Sequence, residues 1–284
     1  MVYVGDRFVA EDEATLSIFD RGLLFGDSIY EVTAVIGGRM IDNDLHLARL
    51  AQSLGELGIR MPLPREAIVG VQMELIARNR LDEGVVYLQV TRGVADRNFA
   101  YADDLEPTFF AFSQAKNLLN AASVRDGVRI AVVDDQRWAR RDIKTTMLLA
   151  QVQAKRIAAE RGCQEAWMVE DGLVTEGASS TAYIVTADGR IVTRPNSRAI
   201  LPGCTRRAVL AVAKRLDLVI EESPFTVEEA VNAQEAFLTS ASSLVTPVIE
   251  ISGRAIGDGK PGSVTRLLQR TYLDLALSNQ AAAQ

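Results

Sequence analysis

Three observations make this an α/β chain of the α+β kind, built as two domains. With 284 residues, 48 % of them hydrophobic, it has length for two ordinary domains and material for a core in each. Strand-like alternation and helix-like periodicity succeed one another along both halves. Between the halves, residues 114–126 carry no strong period; a linker is expected there, narrowed to residues 119–123. Residues 1–118 would then form an N-terminal α+β domain and residues 124–284 a C-terminal α/β domain.

In order, residues 2–10 alternate as a strand does, with a turn at Gly5-Asp6. Residues 19–27 read as a loop holding two glycines among apolar residues, followed by a strand over 28–36 that stops at Gly37-Gly38. Amphipathic helices are predicted over 43–58 and 64–80, punctuated by Pro62 and Pro64. Strands follow at 85–91 and 108–112, joined by a loop rich in charge and aromatic residues. Two helices against several mixed strands make the first layer pair. The second half begins with a strand over 128–133 and a helix over 146–161, closed by Gly162. Strands at 165–169, 182–186 and 191–193 come next, then a helix over 205–216 and strands at 218–221 and 236–239. A last helix starts near Ser263, and the alanine-rich end is expected to fray.

Composition excludes several functions. The net charge of −6 disfavours nucleic acid, because binding phosphates needs a basic face. No apolar run reaches the ~18 residues that read as a membrane span. The first residues, Met-Val-Tyr-Val-Gly-Asp, lack the pattern of a secretory signal. Two isolated cysteines, Cys163 and Cys204, make no disulfide framework, and a cytoplasmic location fits. His46 is the only histidine, so a multi-histidine metal site is impossible and no metal is expected. A Ser-His-Asp hydrolase would have to rest on His46 alone, which reads better as a packed or hydrogen-bonded residue of the 43–58 helix.

Chemistry concentrates on Arg-Trp-Ala-Arg-Arg-Asp-Ile-Lys-Thr-Thr-Met-Leu-Leu-Ala, residues 137–150. Lys144 stands where an arginine-rich segment gives way to an apolar helix, whose Met147, Leu148, Leu149, Val152, Ile157 and Ala158 return to one face. At such a helix entrance, against the core, desolvation eases loss of the ammonium proton. A neutral amine is what Schiff-base chemistry requires. The ordinary alternative is a solvated surface lysine.

Three further segments bear on this lysine. In Val174-Thr175-Glu176-Gly177-Ala178-Ser179-Ser180, small neighbours let a flat ligand approach the Glu176 carboxylate; a plain surface hairpin is the alternative. In Leu201-Pro202-Gly203-Cys204-Thr205-Arg206, a turn opens a helix whose first amides could take a phosphate or could simply be capped. In Thr239-Ser240-Ala241-Ser242-Ser243, a strand ends in small hydroxyl residues, a second possible cradle. A lysine, a shielded acid and two phosphate loops are the parts that pyridoxal phosphate needs.

The chain resembles the fold type IV pyridoxal-phosphate enzymes, and among them the D-amino-acid aminotransferases. The resemblance spans nearly the whole chain. It rests on Asp20-Arg21-Gly22 with Phe25-Gly26-Asp27, Tyr30-Glu31-Val32, His46 with Arg49-Leu50, Gln89-Val90-Thr91-Arg92-Gly93, Arg137-Trp138, Asp142-Ile143-Lys144, Val174-Thr175-Glu176-Gly177, Gly203 with Thr205-Arg206, and Thr246-Pro247-Val248-Ile249-Glu250. Arg137-Trp138 ahead of Asp142-Ile143-Lys144 looks like the D-amino-acid branch; the glycine-rich run usual before the lysine of branched-chain aminotransferases is absent.

The resemblance implies that Lys144 holds the cofactor and shuttles the substrate Cα proton, while Glu176 pairs with the pyridine nitrogen. It implies a phosphate site made by Arg49 and the backbone N–H groups of Cys204, Thr205, Ser240 and Ala241, with Leu201 supporting the ring. Tyr30 and Arg97 would hold a substrate carboxylate and Val32 line the pocket. The implied enzyme is a homodimer, its active site between the domains, transferring an amino group from a D-amino acid to a 2-oxo acid by a ping-pong route. Two positions depart from the family. Its arginine, any residue, histidine triplet is Arg97-Asn98-Phe99 here, and a hydroxyl residue of the phosphate loop is Ala241. The first departure could widen the range towards (R)-amines. The alternatives are an (R)-selective amine transaminase, a branched-chain L-amino-acid aminotransferase, an aminodeoxychorismate lyase, and a catalytically silent binding protein of the same fold.

Overall fold

The computed structural model describes residues 1–281; the last three, on which part of the expected fraying falls, lie outside the described residues. The chain divides into two compact units. One comprises residues 1–117 with the short strip 143–147, the other residues 118–142 with 148–284.

The first unit opens with a hairpin, β1 (Val2–Val4) and β2 (Arg7–Val9), turning at Gly5. Residues 19–27, expected as loop, contain a short helix, α1 (Arg21–Phe25). The Asp20 side chain caps it by accepting from the Gly22 N–H, and Gly26 ends it in the left-handed conformation. Then come β3 (Ser28–Ile36), β4 (Arg39–Met40), α2 (Asn43–Leu57), α3 (Arg65–Arg78), β5 (Glu83–Thr91) and β6 (Thr108–Ala115). The six strands form one sheet in the order β2-β1-β6-β5-β3-β4, and every pairing is antiparallel rather than mixed. Leu47, Leu50 and Leu54 of α2 and Ile68 and Leu75 of α3 pack with Ile29, Val86, Leu88 and Val90 of the sheet into one core. On β3 the side chains alternate in burial: Tyr30 and Val32 are half-buried, while Ile29, Glu31 and Thr33 are fully enclosed.

The second unit holds α4 (Ala122–Asp126), β7 (Val128–Asp134), α5 (Leu149–Glu160), β8 (Glu165–Glu170), β9 (Leu173–Gly177), β10 (Thr181–Val185), β11 (Ile191–Thr193), α6 (Cys204–Arg215), β12 (Ile220–Glu222), α7 (Val227–Val231), β13 (Glu235–Ser240), β14 (Leu244–Ile251), β15 (Arg254–Ala255) and α8 (Ser263–Ala281). Its sheet runs β12-β11-β10-β13-β14-β7-β8-β9, with β15 on β14. The sequence pattern missed β14, because Pro247 argues against a central strand. The strand tolerates it where the ladder to β7 is irregular: that pairing starts at Val248 and shifts register before Glu250.

Two expectations around the lysine change. The helix starts at Leu149, not 146, because the β-branched Ile143, Thr145 and Thr146 sit in an extended strip beside β3. The face that α5 buries is also different. Ala154 and Ala158 pack with Ala131, Ala166 and Met168, whereas Leu149 is 71 % and Val152 60 % exposed. Small residues let the helix lie close to the sheet, which turns the larger ones outward.

Candidate active site

In the first unit, Lys144 lies on the strip that pairs with the start of β3. The Tyr30 N–H donates to the Lys144 carbonyl at 3.1 Å, the Thr146 N–H to the Ser28 carbonyl at 3.2 Å, and Ile29 bridges Thr145. Lys144 is therefore fixed by strand pairing and is not at a helix entrance. Its amine stands 4.2 Å from the centre of the Tyr30 ring, half-buried, and among the described residues no carboxylate pairs with it. Tyr30 itself stacks on Tyr87, and Tyr87 on Phe112, at 5.5 and 4.8 Å. This row of rings makes a rigid floor for the amine, with Val32 half-buried two residues beyond Tyr30.

Arg49 of α2 faces Glu31 of β3. Its Nε and Nη2 donate to the two Glu31 oxygens at 2.7 and 2.8 Å, and His46 Nδ1 lies 2.7 Å from Glu31 Oε2. Glu31 is 0 % and Arg49 8 % exposed. Burial alone pushes the Glu31 carboxyl up, but the charge and hydrogen bonds of Arg49, joined by His46, bring it down to about 2. His46 is thus the hydrogen-bonded helix residue expected. Glu31 was given no role by sequence reasoning; its signal is a lone acid inside an apolar strand.

Arg97 lies in the exposed loop between β5 and β6, its guanidinium 5.8 Å from the Phe25 ring centre. Phe99 is 79 % exposed and packs its ring 5.5 Å from that of Phe25.

In the second unit, Glu176 is the last residue but one of β9, with only 4 % exposure. Its Oε1 accepts from the Leu201 N–H at 3.0 Å and from Arg137 Nη1 in a short contact. Arg137 also forks onto Asp135, whose Oδ2 accepts from the Thr175 hydroxyl at 2.6 Å. Burial pushes the Glu176 carboxyl up from its ordinary value, and Arg137 opposes that rise. Asp135 feels burial too, but the bonds from Arg137 and Thr175 hold it below its ordinary value. In the sequence Arg137 stands out only as part of the Arg137-Trp138 motif, and Asp135 carries no local signal.

The phosphate candidates of this unit come together at strand ends. Gly203 precedes α6, with no side chain to cap the helix, so the first-turn amides of Cys204 and Thr205 have no intrahelical or side-chain acceptor from it. A Cβ at Gly203 would lie 3.0 Å from Thr181 Oγ1 and 3.1 Å from Arg206 Cβ, a tight fit that the glycine relieves. Thr181 pairs with Thr239, the residue before Ser240. The turn from Ser240 and Ala241 into β14 is tied by the 2.6 Å bond between the Ser240 and Ser243 hydroxyls. Glu176, Leu201, Cys204, Thr205, Ser240 and Ala241 thus share one end of this sheet. The donors, the shielded carboxylate and the glycine cradle fit the acid and phosphate needs of a pyridoxal-type group.

The comparisons with known proteins agree. The model of the family described as amino-transferase class IV matches residues 28–251, and the chain belongs to that family of enzymes. Among its relatives, the D-alanine aminotransferase of Bacillus licheniformis is 38 % identical over 282 residues, covering 99 % of this chain and 98 % of that one. The D-alanine aminotransferase of Staphylococcus haemolyticus is 37 % identical over 272 residues, 95 % of this chain and 96 % of the relative. In fold, the chain is similar to the Escherichia coli branched-chain amino acid aminotransferase, with a TM-score of 0.91 at 21 % identity, over 96 % of this chain and 93 % of that one. The fold is thus that of the type IV aminotransferases. Among the described residues no helix is long and apolar enough to cross a membrane.

Proposed function

We propose that this chain is a pyridoxal-phosphate-dependent transaminase that moves an amino group between a D-amino acid and a 2-oxo acid. The observation that carries the reading is full-length similarity to D-alanine aminotransferases together with a lysine amine that pairs with no acid among the described residues. When bound, the cofactor supplies the electron sink that lets an amine and a carbonyl exchange. Lys144 would hold it and move the proton at the substrate Cα. Glu176 would keep a proton at the ring nitrogen, its carboxylate oriented by Arg137 and the Leu201 N–H. Leu201 would support the ring. Arg49 and the amides of Cys204, Thr205, Ser240 and Ala241 take the phosphate. Tyr30 and Arg97 receive the substrate carboxylate, and Val32 lines the pocket.

The working form in this reading is a cytoplasmic homodimer of two-domain subunits, the N-terminal domain also taking in residues 143–147. Ile18, Leu23 and Val94 of the first unit are 70, 69 and 47 % exposed, and α5 of the second shows Leu149 and Val152, apolar surface that a second copy would cover. Light scattering tests that state. The decisive experiment is a half-reaction screen with D-alanine, D-glutamate, L-leucine and (R)-1-phenylethylamine on wild type and Lys144→Ala. Wild type should convert the D-amino acids. Lys144→Ala should lose both turnover and the visible absorbance of the lysine-bound cofactor. Preference for L-leucine, or turnover by Lys144→Ala at the wild-type rate, would sink the reading.

A further inference from the structure

Five side chains of the first unit stack alternately as cation and ring. The Arg97 guanidinium lies 5.8 Å from the Phe25 ring centre, Arg21 4.7 Å from Phe25 and 4.9 Å from Tyr101, and Arg92 3.9 Å from Tyr101. The inner cations are compensated. Asp27 accepts from Arg21 Nε at 3.0 Å and from Arg92 Nε at 2.7 Å, and Arg92 also donates to the carbonyls of Leu57 and Gly58 at the end of α2. Arg21 and Arg92 are 4 and 7 % exposed, whereas Arg97 is exposed and has no acid partner among the described residues. The uncompensated charge of the stack therefore sits at its Arg97 end.

The same stack grips the main chain beside that end. Arg21 Nη1 donates to the Asn98 carbonyl at 2.6 Å and Nη2 to the Phe99 carbonyl at 3.4 Å. The loop carries no helix or paired strand of its own beyond a bridge at Val94. Its base is clamped where Gly93, at φ +112°, passes so close to Glu106 that a Cβ would lie 2.0 Å from that carbonyl oxygen. Between base and tip, the bonds from Arg21 hold the main chain at Asn98 and Phe99, and the Phe25 ring lies 5.8 Å from the Arg97 guanidinium.

We infer that this cation–ring ladder is a specificity device: Arg21, Phe25 and Tyr101 are positioning residues that aim the Arg97 guanidinium at the carboxylate of the amino donor. The inference rests on the carboxylate role proposed above for Arg97. It explains how a loop without regular structure can present a preorganised charge, which a mobile arginine could do only at an entropic cost.

The test uses the holoenzyme with D-alanine as donor and four variants: Tyr101→Leu, Arg21→Lys, Arg97→Ala and Tyr101→Leu with Arg97→Ala. Tyr101 is 44 % exposed, so its replacement leaves the core intact if Arg21→Lys does not fold. Tyr101→Leu should raise KM for D-alanine by about fivefold, the worth of a lost cation–ring contact, with kcat changed by less than about twofold. In the Arg97→Ala background it should add nothing, because the two act through one group. Trypsin should also cut after Arg97 faster in Tyr101→Leu than in wild type. If Arg97→Ala raises KM while Tyr101→Leu changes neither KM nor cleavage, or if the two effects multiply, the ladder does not aim Arg97 and the inference is overturned. If Arg97→Ala leaves KM unchanged, the carboxylate role itself fails and the inference goes with it.

Discussion

Replacing Glu31 by glutamine keeps the shape of the side chain and removes its charge from between Arg49 and His46. The structure sets the magnitude. Glu31 is fully enclosed, takes two bonds from Arg49 and one from His46, and its carboxyl is brought from 4.5 down to about 2. At ~1.4 kcal/mol for each pH unit, that difference corresponds to about 3 kcal/mol of stability. Removing one partner of a buried pair costs roughly 3–5 kcal/mol, so the two routes agree. The sign follows from the depressed carboxyl. Its stabilisation is fully present above the unfolded value of ~4.3 and is lost as pH falls towards about 2. Glu31→Gln should therefore be less stable than wild type at pH 7, and the gap should close between pH 4.5 and 2. Amide exchange of β3 and β5 reads this in the first unit alone. A loss of about 3 kcal/mol makes exchange through opening roughly a hundredfold faster. Unchanged exchange at pH 7, or a gap that does not narrow in acid, would refute the reasoning.

The remaining predictions concern the chemistry. Glu176→Gln should keep the cofactor bound but slow the D-alanine half-reaction, because a neutral amide cannot hold a pyridinium; the barrier should rise by on the order of several kcal/mol. Stopped-flow spectra check this, and an unchanged rate would reduce Glu176 to a strand residue. Arg97→Ala should lower kcat/KM for D-amino acids by roughly 2–4 kcal/mol, the cost of a lost charged pair, and affect (R)-1-phenylethylamine much less. Phe99→His should improve D-amino-acid turnover by placing a donor near Arg97; equal losses for acids and amines in Arg97→Ala would assign that residue to loop structure.

Much of this protein was legible in the order of its residues. Local pattern alone placed the 28–36 strand, the two helices that follow it and the start of the last helix, because alternation and amphipathic spacing act over a few residues. Class-specific motifs pointed to Lys144, Arg49, Glu176 and the Gly203 turn, and the aminotransferase family was identified from them. Tertiary structure decided what depends on partners distant in the chain. Lys144 was expected at a helix entrance but is held by strand pairing to Ser28 and Tyr30, more than a hundred residues earlier. The face of α5 that is buried was settled by how closely alanines let it approach β7 and β8, not by where its largest apolar residues fall. Glu31 reads as an anomaly in a strand until α2 brings Arg49 and His46 against it. The alternation of Arg97, Phe25, Arg21, Tyr101 and Arg92 is likewise invisible in the sequence, because it interleaves two segments some seventy residues apart. Periodicity encodes which side of an element faces inward; charge compensation depends on which element it meets there.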